Sequence, residues 1–187
     1  MDFTKVKNAL TARGFKVSCF ESAREAADYL NAQIDSTTVG FGGSMTLKEM
    51  GLYDLLSGHN TVLSHWNAPE GADTAALRAQ AAVSEHYLLS ANGIAETGEI
   101  INIDGAGNRV SSALYGHKKV WIVAGKNKLA PTYDEALWRA QHRRAEERAA
   151  APCENPVRRQ GRPVLRLQEP RPHLPRAHRA LGRDDGQ

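Results

Sequence analysis

Apolar positions recurring at three- and four-residue spacing mark three helices. Each is opened by a hydroxyl residue with a carboxylate three places on, a capping box in which both side chains satisfy free backbone N–H groups. Ser22 and Glu25 open the first, with Ala23, Ala26, Ala27, Leu30 and Ile34 on its stripe. Thr46 and Glu49 open the second, carrying Leu47, Met50 and Leu55. Thr132 and Glu135, just after Pro131, open the third, with Tyr133, Ala136, Leu137 and Ala140. Further helices are predicted near 3–12 and 72–83. Between them stand short runs of strand type: "FKVSCF" (15–20), "TVGFG" (38–42), "TVLSHW" (61–66), "HYLLSA" (86–91), "EIINI" (99–103) and "KVWIVAG" (119–125).

Helix and strand alternate through most of the chain. This predicts an α/β fold, with a mostly parallel sheet flanked by helices. In such sheets ligands lie beyond the carboxyl ends of the strands. The segments to watch are therefore 40–46, 91–98, 104–109 and 125–128.

Composition divides the chain at about residue 150. The first 150 residues carry 16 Lys+Arg against 17 acids, near −1, and residues 151–187 carry 8 Arg against 4 acids, near +4, which together give the +3 of the whole. The body has no basic stripe with interleaved aromatics, so nucleic acid is not an expected partner. No apolar run approaches a membrane span, and "MDFTKVKNALTARGFKV" lacks a secretory apolar core, so a cytoplasmic protein is expected. Cys19 and Cys153 form no disulfide framework, and Cys19 reads as a buried thiol.

"VGFGGSMT" (39–46) reads as strand, glycine turn and helix start. Gly40, Gly42 and Gly43 allow positive φ and close approach of a ligand to the backbone. The N–H groups of Ser44, Met45 and Thr46 would then face an anion at a helix N-terminus. No Gly-Lys-Ser/Thr follows, and the third glycine of a dinucleotide fingerprint is missing. In "SANGIAETGEIINIDGAGNR" (90–109), Asp104-Gly105 is a strong hairpin signal. Turn residues alone do not explain why Ser90, Asn92, Glu96, Thr97 and Asn102 cluster beside an apolar strand, so this stretch reads as hairpin and site wall together. "AGKNK" (124–128) places Lys126 and Lys128 at a strand exit, either to meet an anion or as solvated loop charges. His59, His65, His86, His117 and His142 have no metal spacing, and there is no HExxH, paired CxxC or GxSxG.

Taken in order, "GFGGSMTLKEMGLYDLL", "HYLLSANGIAETGEIINIDGAGNRVSSALYG" and "KKVWIVAGKNKLAP" resemble the LUD domain, the lactate-utilisation protein family, over roughly residues 3–150. The resemblance implies an α/β fold of the ribose-isomerase, glucosamine-phosphate-deaminase and CoA-transferase superfamily. It implies a bacterial role near oxidation of lactate or a related 2-hydroxy acid, beside iron–sulfur subunits in some members. Site members implied by matching motif are Gly42, Gly43, Ser44 and Thr46, then Asn92, Glu96, Thr97 and Gly98. Asp104, Gly105, Asn108 and Arg109 follow, with Lys126, Asn127 and Lys128 last. His117 departs from the proline common after Tyr-Gly in relatives. Glu96, a carboxylate at a strand exit, is the expected general base or substrate-orienting group, and the Ser44–Thr46 helix start the expected holder of a small anionic substrate.

No flavin or nicotinamide fingerprint occurs in residues 1–150, so a redox cofactor is expected on a partner. Two other readings stay open: an isomerase-, deaminase- or CoA-transferase-like enzyme on a phosphorylated or CoA-linked molecule, and a non-catalytic partner of iron–sulfur subunits. Residues 151–187 hold six of the eight prolines and no aromatic, which reads as a disordered basic tail. Relatives often carry a cysteine-rich end after a Pro-Cys, here Pro152-Cys153. Residues 165–176, written in GC-rich codons and read one nucleotide later, give a cysteine-rich run, so a frameshifted terminus is expected. With Cys153 alone the tail would hold neither zinc nor an iron–sulfur cluster, which an intact Cys-rich tail could. Sequencing across codons 150–160 tests this.

Overall fold

The computed structural model describes residues 3–150, and the expectations for the tail lie outside them. The chain runs α1 (Phe3–Ala12), α2 (Ala23–Gln33), β1 (Thr38–Phe41), α3 (Met45–Glu49), α4 (Leu52–Ser57), β2 (Thr61–Ser64) and α5 (Thr74–Ala81). It continues with β3 (His86–Leu89), β4 (Gly93–Ala95), β5 (Ile100–Ile101), α6 (Asn108–Leu114) and β6 (Lys119–Ile122). A 3₁₀ turn (Lys126–Lys128), β7 (Leu129–Ala130) and α7 (Tyr133–Ala150) complete it. The fold is α/β, as the alternation predicts.

The main sheet has the order β2-β1-β3-β6, and every pairing in it is parallel. Register pairs Gly40 with Leu63 and Tyr87, and Tyr87 with Val120, so these four form one row across the sheet. Leu63, Tyr87 and Val120 pack under α5 and α6 with Ala81, Leu89 and Ala113. Val39, Phe41 and Leu88 face the other way, into a core with Ala27 and Leu30 of α2, Leu47 of α3, and Leu52 and Leu56 of α4. Strands buried on both faces are what a parallel sheet requires.

A small sheet of order β5-β4-β7 stands beside it, antiparallel between β4 and β5 and parallel between β4 and β7. Val6 and Leu10 of α1 cover one of its faces through Ile94 and Leu129, and Ala136 of α7 meets Ala95 and Ala130.

Several expectations need correction. Residues 15–20 form no strand: α1 ends at Ala12 and turns through Gly14, and the segment then runs as an irregular crossover in which no residue is fully buried. Cys19 is therefore exposed rather than buried. The second predicted helix starts at Ser44, whose Oγ accepts from the Leu47 N–H at 3.3 Å, and it breaks at Gly51 into α3 and α4. The hairpin does not turn at Asp104-Gly105. It joins β4 to β5 through residues 96–99, with Gly98 at φ 95°. Asp104 has a different task, described next.

Candidate functional site

Polar and aromatic side chains gather beyond the carboxyl ends of β1 and β2. Phe41 is paired with Ser64, which places Gly42 beside His65 on the face covered by α5 and α6. Gly42 N–H donates to Leu88 O at 2.8 Å, so its backbone follows the strand. A Cβ at Gly42 would lie 2.8 Å from Cγ of Arg109, and one at Gly43 would lie 2.7 Å from Cε2 of Trp66. Neither glycine has positive φ. Both are needed because other side chains of this protein approach their backbone, not because the turn demands it.

Arg109 is buried, and its guanidinium is held on several sides. Nη2 donates to Ile103 O at 2.8 Å and to Asn92 Oδ1 at 3.3 Å, while Nε stands 3.9 Å from Oδ2 of Asp104. Asp104 Oδ2 accepts from the backbone N–H of Arg109 at 2.7 Å and of Val110 at 3.3 Å, and Oδ1 accepts from Ala106 N–H at 3.3 Å. The Asp-Gly signal thus builds a loop whose carboxylate caps α6 from a distance. Burial alone would raise the Asp104 pKa, but the Arg109 charge and these three N–H groups outweigh it and hold it below its ordinary value. Asn92 also accepts from Ile103 N–H at 3.0 Å, and its carbonyl accepts from Arg139 of α7 at 2.8 Å. Asn108 Nδ2 donates to the Tyr87 hydroxyl at 3.4 Å. His65 faces this network: burial and the Arg78 charge lower its pKa, Asp104 partly opposes them, and the result is about 4.

On the other side of the same strand exits, facing α3 and α4, lies a cavity of about 200 Å³. Phe41 and Leu47 give it apolar walls, and Tyr53 and Trp66 aromatic ones. Gly42, Ser44, Ser64 and Asn67 line it, with Lys48 and Asp54. Ser44 and Ser64 are buried, and the Ser64 hydroxyl donates to Asn67 Oδ1 at 2.9 Å. Lys48 and Asp54 are exposed, and among the described residues their side chains make no ion pair or hydrogen bond. A wider, open cavity of about 420 Å³ lies at the opposite, amino ends of β1 and β2, against Ser36, His59 and Glu85.

The structure therefore brings together Gly42, Gly43, Ser44, Asn92, Asp104, Asn108 and Arg109. Gly42 and Ser44 touch the cavity, and the Asp104–Arg109–Asn92 network fixes the loop behind them. Thr46 lies within α3, and Gly105 is exposed in the loop that Asp104 closes. Glu96, Thr97 and Gly98 lie on the β4–β5 turn against α1. The Glu96 carboxylate is 4.0 Å from Lys5 Nζ, and Arg13 donates to Thr97 O at 3.0 Å and to Glu99 at 2.6 Å. Lys126, Asn127 and Lys128 make the 3₁₀ turn after β6, at the sheet edge opposite β2.

Sequence reasoning passed over Lys48, Tyr53, Asp54, Ser64, His65, Trp66 and Asn67. A signal existed for the last four: "SHWN" is a polar and aromatic run at the carboxyl end of the predicted strand 61–66, and β2 in fact ends at Ser64.

The LUD domain family matches residues 3–168. The chain belongs to the LUD domain family. No curated protein matches it. Among the described residues of this LUD domain, no three or more His, Cys, Asp or Glu are grouped to hold a metal ion, and no helix is long and apolar enough to cross a membrane.

Proposed function

We propose that this LUD-domain protein binds lactate or a related small 2-hydroxy acid and serves its oxidation, with iron–sulfur partner subunits as electron acceptor. The observation that carries the reading is the cavity beyond the carboxyl ends of β1 and β2, with a free lysine at its rim. At about 200 Å³ it is smaller than drug-sized sites of about 300–1,000 Å³ and suits a metabolite of a few heavy atoms. Lys48 would hold the carboxylate, Phe41 and Leu47 the alkyl group, and the buried Ser44 and Ser64 hydroxyls the 2-hydroxyl. Oxidation to the 2-oxo acid releases two electrons and two protons. The family's name for lactate utilisation supports the substrate class.

Thermal unfolding of the full chain with added ligand tests this. A ligand that binds only the folded state stabilises it by about 2.7 kcal/mol at a hundred times its Kd. Lactate should raise the Tm, and Lys48→Met should remove the rise while leaving the ligand-free Tm unchanged. Stabilisation by a sugar phosphate or CoA instead would move the reading to isomerase, deaminase or CoA-transferase chemistry. Silence from all of them would favour a non-catalytic subunit.

A further inference from the structure

The hydroxy-acid reading leaves Asp54 unused and, electrostatically, in the way. Lys48 sits in the last turn of α3 and Asp54 in the first turn of α4, and the chain reverses at Gly51 between them, so both reach the rim of one cavity. They are not paired with each other or with any described residue. The rim thus carries one positive and one negative charge, each open to a ligand. A 2-hydroxy acid brings one negative charge, which Lys48 satisfies and Asp54 repels. A zwitterion satisfies both.

The walls point the same way. Trp66 and Tyr53 line the cavity together with Asp54. Aromatic faces beside a carboxylate are the chemistry that recognises an ammonium group, because the ring quadrupole and the anion attract the same charge. Asn67, whose Oδ1 accepts from Ser64, adds a neutral acceptor on that side. Phe41 and Leu47 leave an apolar surface for a short side chain, and the volume admits nothing large.

We infer that this cavity takes a small 2-amino acid, its carboxylate on Lys48 and its ammonium between Asp54 and the rings of Trp66 and Tyr53. The ligand shares the cavity with the proposed hydroxy acid and competes with it, but its recognition does not depend on that reading. Because both rim charges are exposed, solvent screens each of them, and the affinity is roughly millimolar.

Calorimetric titration of the full chain with L-alanine, L-lactate and propionate tests the inference. L-Alanine should bind most tightly and displace L-lactate. Asp54→Asn should weaken alanine about tenfold, the loss expected for one charge-assisted hydrogen bond, and should not weaken propionate, whose carboxylate it no longer repels. Lys48→Met should weaken all three. Both side chains are exposed and unpaired, so the variants should keep the wild-type circular dichroism; Asp54→Ser serves as a second neutral replacement. Alanine binding no tighter than propionate, or insensitive to both Asp54 variants, overturns the inference. Lactate binding without alanine binding removes the inference and leaves the hydroxy-acid reading. Alanine without lactate does the reverse, and silence from all three ligands removes both.

Discussion

A single methyl group added at position 42 would meet Cγ of Arg109 at 2.8 Å. Arg109 cannot give way cheaply, because Ile103 O, Asn92 and Asp104 hold its guanidinium. Gly42→Ala should therefore destabilise by about 1–3 kcal/mol, the usual cost of overpacking, read from urea unfolding. Arg109→Met should cost more, about 3–5 kcal/mol, because it leaves the Asp104 carboxylate buried without its partner charge. The two carboxylates singled out by sequence part company here. Glu96 lies against α1 near Lys5, so Glu96→Gln should leave the lactate-dependent rise in Tm intact; its loss would restore Glu96 to the binding site. The sequence marked Gly42, Gly43, Asp104 and Arg109 as residues of consequence. It did not show that the glycines serve Arg109 and Trp66, since those contacts join distant parts of the chain, through α6 over the sheet and through the register of β1 and β2. Lys48 and Asp54 stayed hidden for a plainer reason: on a short amphipathic helix a charged residue reads as a solvated face.

At the scale of elements, the loop–helix unit after β1 decides whether the cavity exists. Ser44 caps α3, and Gly51 at φ 63° turns the chain into α4. Ser44→Ala should cost about 1 kcal/mol through the lost cap. Gly51→Ala should cost about 1–2 kcal/mol, because a Cβ is disfavoured in the left-handed region while the space around it is empty. Both variants should also weaken ligand-induced stabilisation, since the helices they loosen carry Lys48 and Asp54; an unchanged ligand response would detach those helices from the site. The spacing of Leu47, Met50 and Leu55 predicted one helix because Gly51 falls between apolar positions without breaking their period. In the folded chain the buried residues are Leu47, Leu52 and Leu56, so the stripe shifts at the glycine. Asp104-Gly105 misled in a similar way. The dipeptide marks a tight loop in either case, and only the helix that begins at Asn108 decides between a hairpin turn and a remote cap.

Across the whole molecule, the parallel sheet was legible because each of its strands falls within an apolar run and follows a helix. Of the small sheet only β5 was legible, inside the predicted run 99–103; β4 has three residues and β7 two, too short for any period to show. That sheet holds Asn92 and the loop to Asp104 in place, and so links α1 and α7 to the site's support. The same support sets the response to acid. His65 has a folded pKa of about 4, lowered first by burial and then by Arg78, with Asp104 opposing, against an ordinary 6.5. A histidine lowered on folding binds fewer protons in the folded state, so stability falls as pH drops from 6.5 to about 4. His86, lowered by burial and then by Lys119, acts with the same sign. Asp104 is held below its ordinary 3.8, so its contribution is present above that value and is lost only on further acidification. Urea unfolding at fixed pH should show a plateau above pH 6.5, a decline on the order of 2 kcal/mol from His65 down to pH 4 after allowance for solvent screening, and a steeper loss below. His65→Gln should flatten the upper decline and leave the lower one. If the slope between pH 6.5 and 4 is as steep in that variant as in the wild type, the imidazole is not held neutral beside Arg78, and the packing of α5 against the β2 exit must differ from that described.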